Sequence, residues 1–301
     1  MRVSGVDIGT NTILMVIADI EQDGSLTIIS DHHAIARLGK NVDADKNINP
    51  DAIERAVTIL RGYKEICTKE KVHLVNAVAT SAVRSANNSS EVLPKLSAAL
   101  GESITSISGN LEAELTFAGT VLNDSETTVI DIGGGSTEII TGLNRTIQHR
   151  ISIEIVAVRL TERFRLSTNQ EQSYLNEAIE YIHKQLQTID FPISKNVIAV
   201  AGTPTTLAQM ILKDDTFNAD VIHNFVLTKE MIETCIETIT STQPEKRGNI
   251  SGVNPARADI LLAGALILQQ FMKINSLAQV TVSTKGLRYG LLSFIPISLY
   301  K

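Results

Sequence analysis

VIDIGGGSTEII, residues 129–140, sets two short isoleucine-rich runs around three consecutive glycines, with Asp131 before the glycines and Glu138 after them. β-Branched runs flanking a glycine-rich turn predict a β-hairpin in which glycine supplies backbone angles closed to other residues. With 133–136 as the loop, Ile132 pairs with Thr137 and Asp131 with Glu138. Directly opposed residues stand about 5 Å apart in such a pair, and like charges placed there destabilise a sheet. A cation between them removes the conflict. A hard divalent ion such as Mg²⁺ takes one or two carboxylates together with water and phosphate oxygens, and glycine amides can form an anion-binding nest. The stretch suits a bound metal phosphate. An ordinary hairpin with two solvated acids carries the same pattern, so this segment alone leaves both readings open.

Length and composition bound the rest. A chain of 301 residues accommodates two domains, each with a core, and 43% hydrophobic content with 4% aromatic residues suits a soluble α/β protein rather than a disordered one. The formal net charge of −6 argues against a general nucleic-acid binder. Cys67 and Cys235 lie far apart and outside any CxxC or His/Cys grouping, so they read as buried or incidental thiols in a reducing compartment. The first twenty residues carry Asp7 inside their apolar part and show no cleavage pattern, and the longest late apolar run, 260–268, contains Gly264 and is too short to span a bilayer. These features predict a cytoplasmic protein that engages neither nucleic acid nor membrane.

Along the chain the pattern repeats. Apolar runs at 3–8, 13–20 and 26–30 predict three strands, and a helix over 51–68 follows Pro50. A strand at 74–79, a helix at 91–100, a strand at 103–108 and a helix at 111–122 come next, the last with Leu111, Leu115, Ala118 and Leu122 on one face. After 123–126 the series restarts, with strands at 128–132, 137–141 and 146–153, helices at 156–164 and 170–188, and a strand at 197–201. Helices at 205–212, 229–241 and 256–272 and a strand at 279–283 complete it. The residues duplicate as well as the elements. VDIGTNTIL (6–14) superposes on IDIGGGSTE (130–138), so Asp7 falls on Asp131 and Leu14 on Glu138. Only the second hairpin keeps the acid pair, which predicts an asymmetric site with its metal nearer the second domain.

With these motifs in place the chain resembles the exopolyphosphatase and guanosine pentaphosphate phosphatase family, within the actin, sugar-kinase and heat-shock-chaperone superfamily. The resemblance runs nearly end to end through GVDIGTNT (5–12), ATSAVRSANN (79–88), SGNLEAEL (108–115), VIDIGGGSTEI (129–139), VRLTERF (158–164), AGTPTTLA (201–208), NPARADILLAG (254–264) and GLRYGLL (286–292). Two positions depart from it: members often carry a second acid where Leu111 stands and a glycine where Val156 stands. The resemblance implies an α/β fold of two duplicated ribonuclease H-like, actin-like ATPase domains of order βββαβαβα around a central cleft. The first would comprise 1–121 and about 286–301, with the chain returning through a helix around 287–295, and the second 122–285. It is similar to the short, two-domain form of the family.

Each site residue follows from a matched motif. Glu112 matches the family's catalytic glutamate, which activates water for attack on a terminal phosphorus, and a place in the first turn of a helix, with Asn110 as N-cap, would keep it ionised through the helix dipole. A first-turn acid is also common for dipole reasons alone. Asp131 and Glu138 match ligands of Mg²⁺ or Mn²⁺. Gly133, Gly134, Gly135 and Ser136, with Thr10 and Asn11 of the first hairpin, would donate to phosphate oxygens. Arg84 matches an arginine suited to bidentate phosphate contact, though a solvated helix-end arginine reads the same way. Gly202 and Thr203, with Pro204 as first helical residue, form a further ligand turn by resemblance, and any capped strand-to-helix turn would look alike.

A polyanion also needs a basic path, and Arg145, His149, Arg150, Arg159, Arg163 and Arg165 are the one candidate concentration, although Arg159 and Arg163 beside Glu162 fit a surface salt bridge equally well. The adjacent His32 and His33 point to opposite faces of a strand and cannot readily pair on a metal. The resulting expectation is a Mg²⁺-dependent phosphoanhydride hydrolase releasing terminal phosphate from polyphosphate, compatible with a homodimer. Guanosine pentaphosphate 5′-phosphohydrolase is the alternative; a non-hydrolytic nucleotide-binding module or a sugar or acetate kinase ranks lower.

Overall fold

The computed structural model describes residues 1–40, 42, 46–168 and 172–293. The chain forms two compact units, one of Met1–Leu122 with the C-terminal stretch from Gly286, the other of Asn123–Lys285.

In the first unit β1 (Arg2–Ile8), β2 (Thr12–Ile20), β3 (Leu26–Ile35), β4 (Leu74–Ala79) and β5 (Ile104–Ser106) form a sheet of order β3-β2-β1-β4-β5. The three N-terminal strands meander antiparallel, and β4 and β5 join parallel to β1. Alternation along β2 splits its side chains between two cores. Ile13, Met15 and Ile17 face the helices Pro50–Lys69 and Ser89–Leu100, while Val16, Ala18 and Ile20 face Leu292 near the C-terminal end of the described chain. Helix Pro50–Lys69 starts where Pro50 predicts it, with Asn49 accepting from the Asp51 amide and proline in the first turn.

The second unit repeats this plan. Strands β6 (Thr127–Ile132), β7 (Thr137–Leu143), β8 (Thr146–Ile153), β9 (Val197–Val200), β10 (Val226–Thr228) and β11 (Gln279–Val282) run in the order β10-β11-β9-β6-β7-β8. Without β10, this is the order of the first sheet. The three-residue β10 was absent from the expected βββαβαβα order, because so short an antiparallel edge carries no periodic signal. Helix Leu261–Ile274 is buried on nearly every side, as a predominantly apolar helix must be, and it begins later than expected: residues 255–257 form a separate 3₁₀ turn. The helix expected over 170–188 is described from Gln172 to Leu186; residues 170 and 171 lie outside the described residues.

Two expectations for the helix after β5 are corrected. It spans Gly109–Thr120, and Leu122 falls beyond it, 66% exposed, rather than on its apolar face. The helix buries Ala113, Leu115, Thr116, Phe117 and Gly119, more than one face of it, because the C-terminal helix Leu287–Ser293 packs against it. That contact is backbone to backbone. A Cβ on Gly290 would stand 1.9 Å from the Leu115 carbonyl oxygen, one on Gly119 2.2 Å from that of Gly286, and one on Gly5 2.3 Å from that of Arg288. Side chains complete the clasp. Arg288 donates from Nε and Nη2 to Asp31 on β3 at 2.9 and 2.7 Å, the Tyr289 hydroxyl donates to the same carboxylate at 2.8 Å, and the Asn76 amide donates to the Leu291 carbonyl at 3.1 Å. The expected helical residues 294 and 295 lie outside the described residues.

The packing predicts opposite effects from one chemical change. Gly290→Ala should destabilise the protein by about 1–3 kcal/mol through overpacking. Gly62→Ala, inside Pro50–Lys69 with nothing within 4 Å of the added carbon, should stabilise it by about 0.5–1 kcal/mol. Chemical denaturation of both variants checks the pair, and a neutral Gly290→Ala would contradict the close approach.

Candidate active site

The two glycine hairpins are built alike. Gly9 donates its amide to the Thr12 carbonyl at 3.0 Å, and Gly133 donates to that of Ser136 at 3.1 Å. Beyond these turns the strands pair in register, Asp7 opposite Leu14 and Asp131 opposite Glu138, with Ile132 opposite Thr137. The pairing expected from the sequence is therefore present. The reason for the glycines is not the expected one. Among the described residues the left-handed glycines are Gly24, Gly101 and Gly252, so Gly133, Gly134 and Gly135 do not serve by a left-handed backbone. Gly133 is required by close approach, since a Cβ there would lie 2.8 Å from the Ser136 carbonyl oxygen.

The first hairpin presents donors that fit an anion. The carbonyls of Thr10 and Asn11 are tied back to the following segment, accepting from the amides of Gly39 and of Ala36 and Arg37. Among the described residues Thr10 Oγ1 and Asn11 Nδ2 are buried with no hydrogen-bond partner, a costly state that a phosphate oxygen would relieve.

In the second unit Glu138 is 1% exposed, and Asp131 is half-buried beside it. Ser152 on β8 lies opposite Glu138 and donates its hydroxyl to Oε1 at 2.7 Å. Among the described residues no group of three or more His, Cys, Asp and Glu side chains is placed to hold a metal. Two carboxylate donors without a closed cage match Mg²⁺ or Mn²⁺, which keep most positions for water and phosphate. Ser136 is buried at the end of this turn.

Glu112 and Arg84 meet within the first unit. Arg84 sits on the short helix Ser81–Ser85 that follows β4, and its Nη1 donates to Glu112 Oε2 at 2.8 Å and to the Ile107 carbonyl at 2.9 Å. This corrects the reading of Arg84 as a solvated helix end and gives it a second role beside any phosphate contact. The N-cap of the Glu112 helix is Ser108, whose hydroxyl accepts from the Leu111 amide, and Asn110 lies inside the helix. Burial pushes the Glu112 carboxyl above the ordinary glutamate range, opposed by the hydrogen bond and charge of Arg84 and by a hydrogen bond from Thr80. Desolvation is thus the largest influence on this carboxyl, ahead of Arg84 and Thr80.

The AGTPTT turn is strained. Ala201 adopts φ 79°, ψ −170°, a region that L-residues rarely occupy. Thr205 and Thr206 hold the turn by donating their hydroxyls to the Ala201 and Gly202 carbonyls. Gly202 and Thr203 are the first two helical residues, so Pro204 is the third rather than the first. Thr203 packs its side chain against Gly264. Arg257 was not singled out from NPARADILLAG, yet its guanidinium lies against Gly202, where a Cβ would come within 1.7 Å of Nη1, and burial lowers its pKa to about 10.

Part of the expected basic path is engaged locally: Arg145 pairs with Asp124, Arg159 with Glu154, Arg163 lies over the Tyr181 ring at 4.3 Å, and His149 stacks on Phe191.

Comparison with known proteins extends over both units. Residues 16–295 match the Ppx/GppA phosphatase family. The chain is 32% identical over 289 residues to exopolyphosphatase 2 of Mycobacterium tuberculosis, covering 90% of each protein. Among solved structures, the Aquifex aeolicus member of the Ppx/GppA family superposes with a TM-score of 0.82 at 31% identity, covering 97% of both chains. An exopolyphosphatase from Cytophaga hutchinsonii superposes with a TM-score of 0.86 at 26% identity, again over 97% of each.

The Glu112–Arg84 pair yields a measurable titration. Followed by ¹³C NMR, the Glu112 carboxyl should titrate above the ordinary glutamate range, and Arg84→Met should move its midpoint to still higher pH, because the cation that favours the charged form is gone. A midpoint that does not move would dissociate the two groups.

Proposed function

The chain belongs to the Ppx/GppA phosphatase family, with its actin-like ATPase fold, and from that premise we propose that it is an exopolyphosphatase, releasing terminal phosphate from linear polyphosphate. The observation that carries this reading is the buried Glu112 carboxylate, ion-paired with Arg84 and raised in proton affinity by its surroundings. A base tuned upward toward the working pH takes a proton more readily from attacking water. Glu112 accepts that proton as the water oxygen bonds to the terminal phosphorus, and the bond to the bridging oxygen breaks. Arg84 holds Glu112 in place and stabilises its charged form.

Thr10 Oγ1 and Asn11 Nδ2 supply donors for phosphate oxygens, as do the amides of Gly133, Gly134 and Gly135, the Ser136 hydroxyl, and the amides of Gly202 and Thr203. Asp131 and Glu138 would hold Mg²⁺ or Mn²⁺, which neutralises phosphate charge when bound. Glu112 belongs to the first unit, and Asp131 and Glu138 belong to the second. Two buried free thiols are in keeping with a cytoplasmic setting.

Released phosphate, measured with long polyphosphate and guanosine pentaphosphate side by side in Mg²⁺, tests the substrate: faster turnover of the nucleotide would reassign the protein to guanosine pentaphosphate, and none on either would refute hydrolysis. Glu112→Gln should lower kcat by roughly 10²- to 10⁴-fold with KM little changed. Wild-type turnover in that variant would remove Glu112 from the mechanism. Asp131→Asn and Glu138→Gln should each raise the Mg²⁺ concentration needed for half-maximal rate, and EDTA should silence the wild type reversibly. An unchanged metal requirement in both variants would leave the acids without that role.

A further inference from the structure

Three residues form one row across neighbouring strands. Asp131 on β6 is registered with Glu138 on β7, and Glu138 with Ser152 on β8. Directly opposed residues project to the same face, so Ser152 flanks Glu138 on the side away from Asp131. The two flanks differ in exposure. Glu138 is 1% exposed, whereas Ser152, on the edge strand, is open to solvent. Its hydroxyl reaches inward to Glu138 Oε1 at 2.7 Å, the short separation typical of a hydroxyl donating to a charged carboxylate.

We propose that Ser152 is a positioning residue for the metal-ligating carboxylate of Glu138, an inference that rests on reading Asp131 and Glu138 as the metal pair. A glutamate side chain has three rotatable bonds, and a buried carboxylate facing a second carboxylate is driven to rotate away from it. The Ser152 hydroxyl bond resists that rotation and fixes the plane of the carboxylate toward Asp131. Its lone proton can serve one acceptor, and Glu138 occupies it. Outer-shell partners of this kind typically change metal affinity by 10- to 100-fold when removed. A serine side chain between the half-buried Ile151 and the buried Ile153 on an edge strand would otherwise be an ordinary solvent-facing residue.

Direct Mn²⁺ binding provides the test, read by the loss of the free-ion EPR signal in the presence of inorganic phosphate. Wild type, Ser152→Ala, Ser152→Thr, Ser152→Cys and Asp131→Asn are compared, with thermal midpoints measured on each metal-free protein. Ser152→Ala should weaken Mn²⁺ binding by about tenfold at an unchanged thermal midpoint. Ser152→Thr, which keeps the hydroxyl, should bind as wild type does. Should Ser152→Ala not fold, Ser152→Cys replaces it, since the poorly donating thiol occupies nearly the same volume and should weaken binding as alanine would. Wild type that binds Mn²⁺ through Asp131, alongside a Ser152 variant of equal affinity, would overturn the role of Ser152 alone. Wild type that takes up no Mn²⁺, or loses none on Asp131→Asn, would overturn the metal pair and this inference with it.

Discussion

Asp131 and Glu138 are held side by side on neighbouring strands with Glu138 almost wholly removed from water, and much of the second unit is arranged to make that tolerable. Two like charges in this position oppose sheet formation, and desolvating one adds to the cost. The opposing force comes from the other face of the same strands, where Ile130, Ile132 and Ile139 enter the core. Because side chains alternate with a period of two, sliding the hairpin by one residue would exchange the isoleucines for the carboxylates. The register is therefore fixed by apolar burial, and the tight Gly133 turn and Ser152 act within it.

The first unit keeps the frame and discards the conflict. Its hairpin has the same closing hydrogen bond, but Leu14 stands where the second acid would be. Its buried carboxylate is instead Glu112, reached through β4, β5 and the helix that follows, and paired with Arg84. One fold has thus produced two electrostatic settings: a carboxylate beside a guanidinium, and a carboxylate beside a carboxylate. In the first, burial raises the carboxyl's affinity for a proton; in the second, two acids face each other across the strands.

The sequence disclosed what depends on neighbours along the chain or directly across a hairpin. The Asp131–Glu138 pairing, the repeat of the glycine turn and the Pro50 helix start are local, and residue pattern alone revealed them. Properties set by distant packing were misjudged. Ser108 rather than Asn110 caps the Glu112 helix, because capping geometry depends on the angle at which β5 delivers the chain. The burial that raises the Glu112 carboxyl is something no first-turn pattern reports. Leu122 fits the helical period but lies past the helix end. Arg145, Arg159 and Arg163 looked like parts of one patch because they are close in sequence; in space they engage Asp124, Glu154 and aromatic rings. Ser152 was out of reach, because a register shift between Thr141 and Gly142 moves the β7–β8 pairing by one residue; without it Ile151 would stand opposite Glu138.

The glycine-mediated clasp of Leu287–Ser293 makes the first unit discontinuous, with all of Asn123–Lys285 spliced between its last sheet-bearing segment and its final helix. Asp31 finds Arg288 across 257 residues of sequence. During synthesis the N-terminal sheet emerges early, yet its Val3, Val16 and Ala18 face stays without its covering helix until the entire second unit has been made. Chains that ordinarily fold domain by domain from the N-terminus here must finish the second domain before the first. The nascent first unit must wait with an apolar sheet face uncovered, so premature termination anywhere in the second unit leaves the earlier domain incomplete as well as the later one.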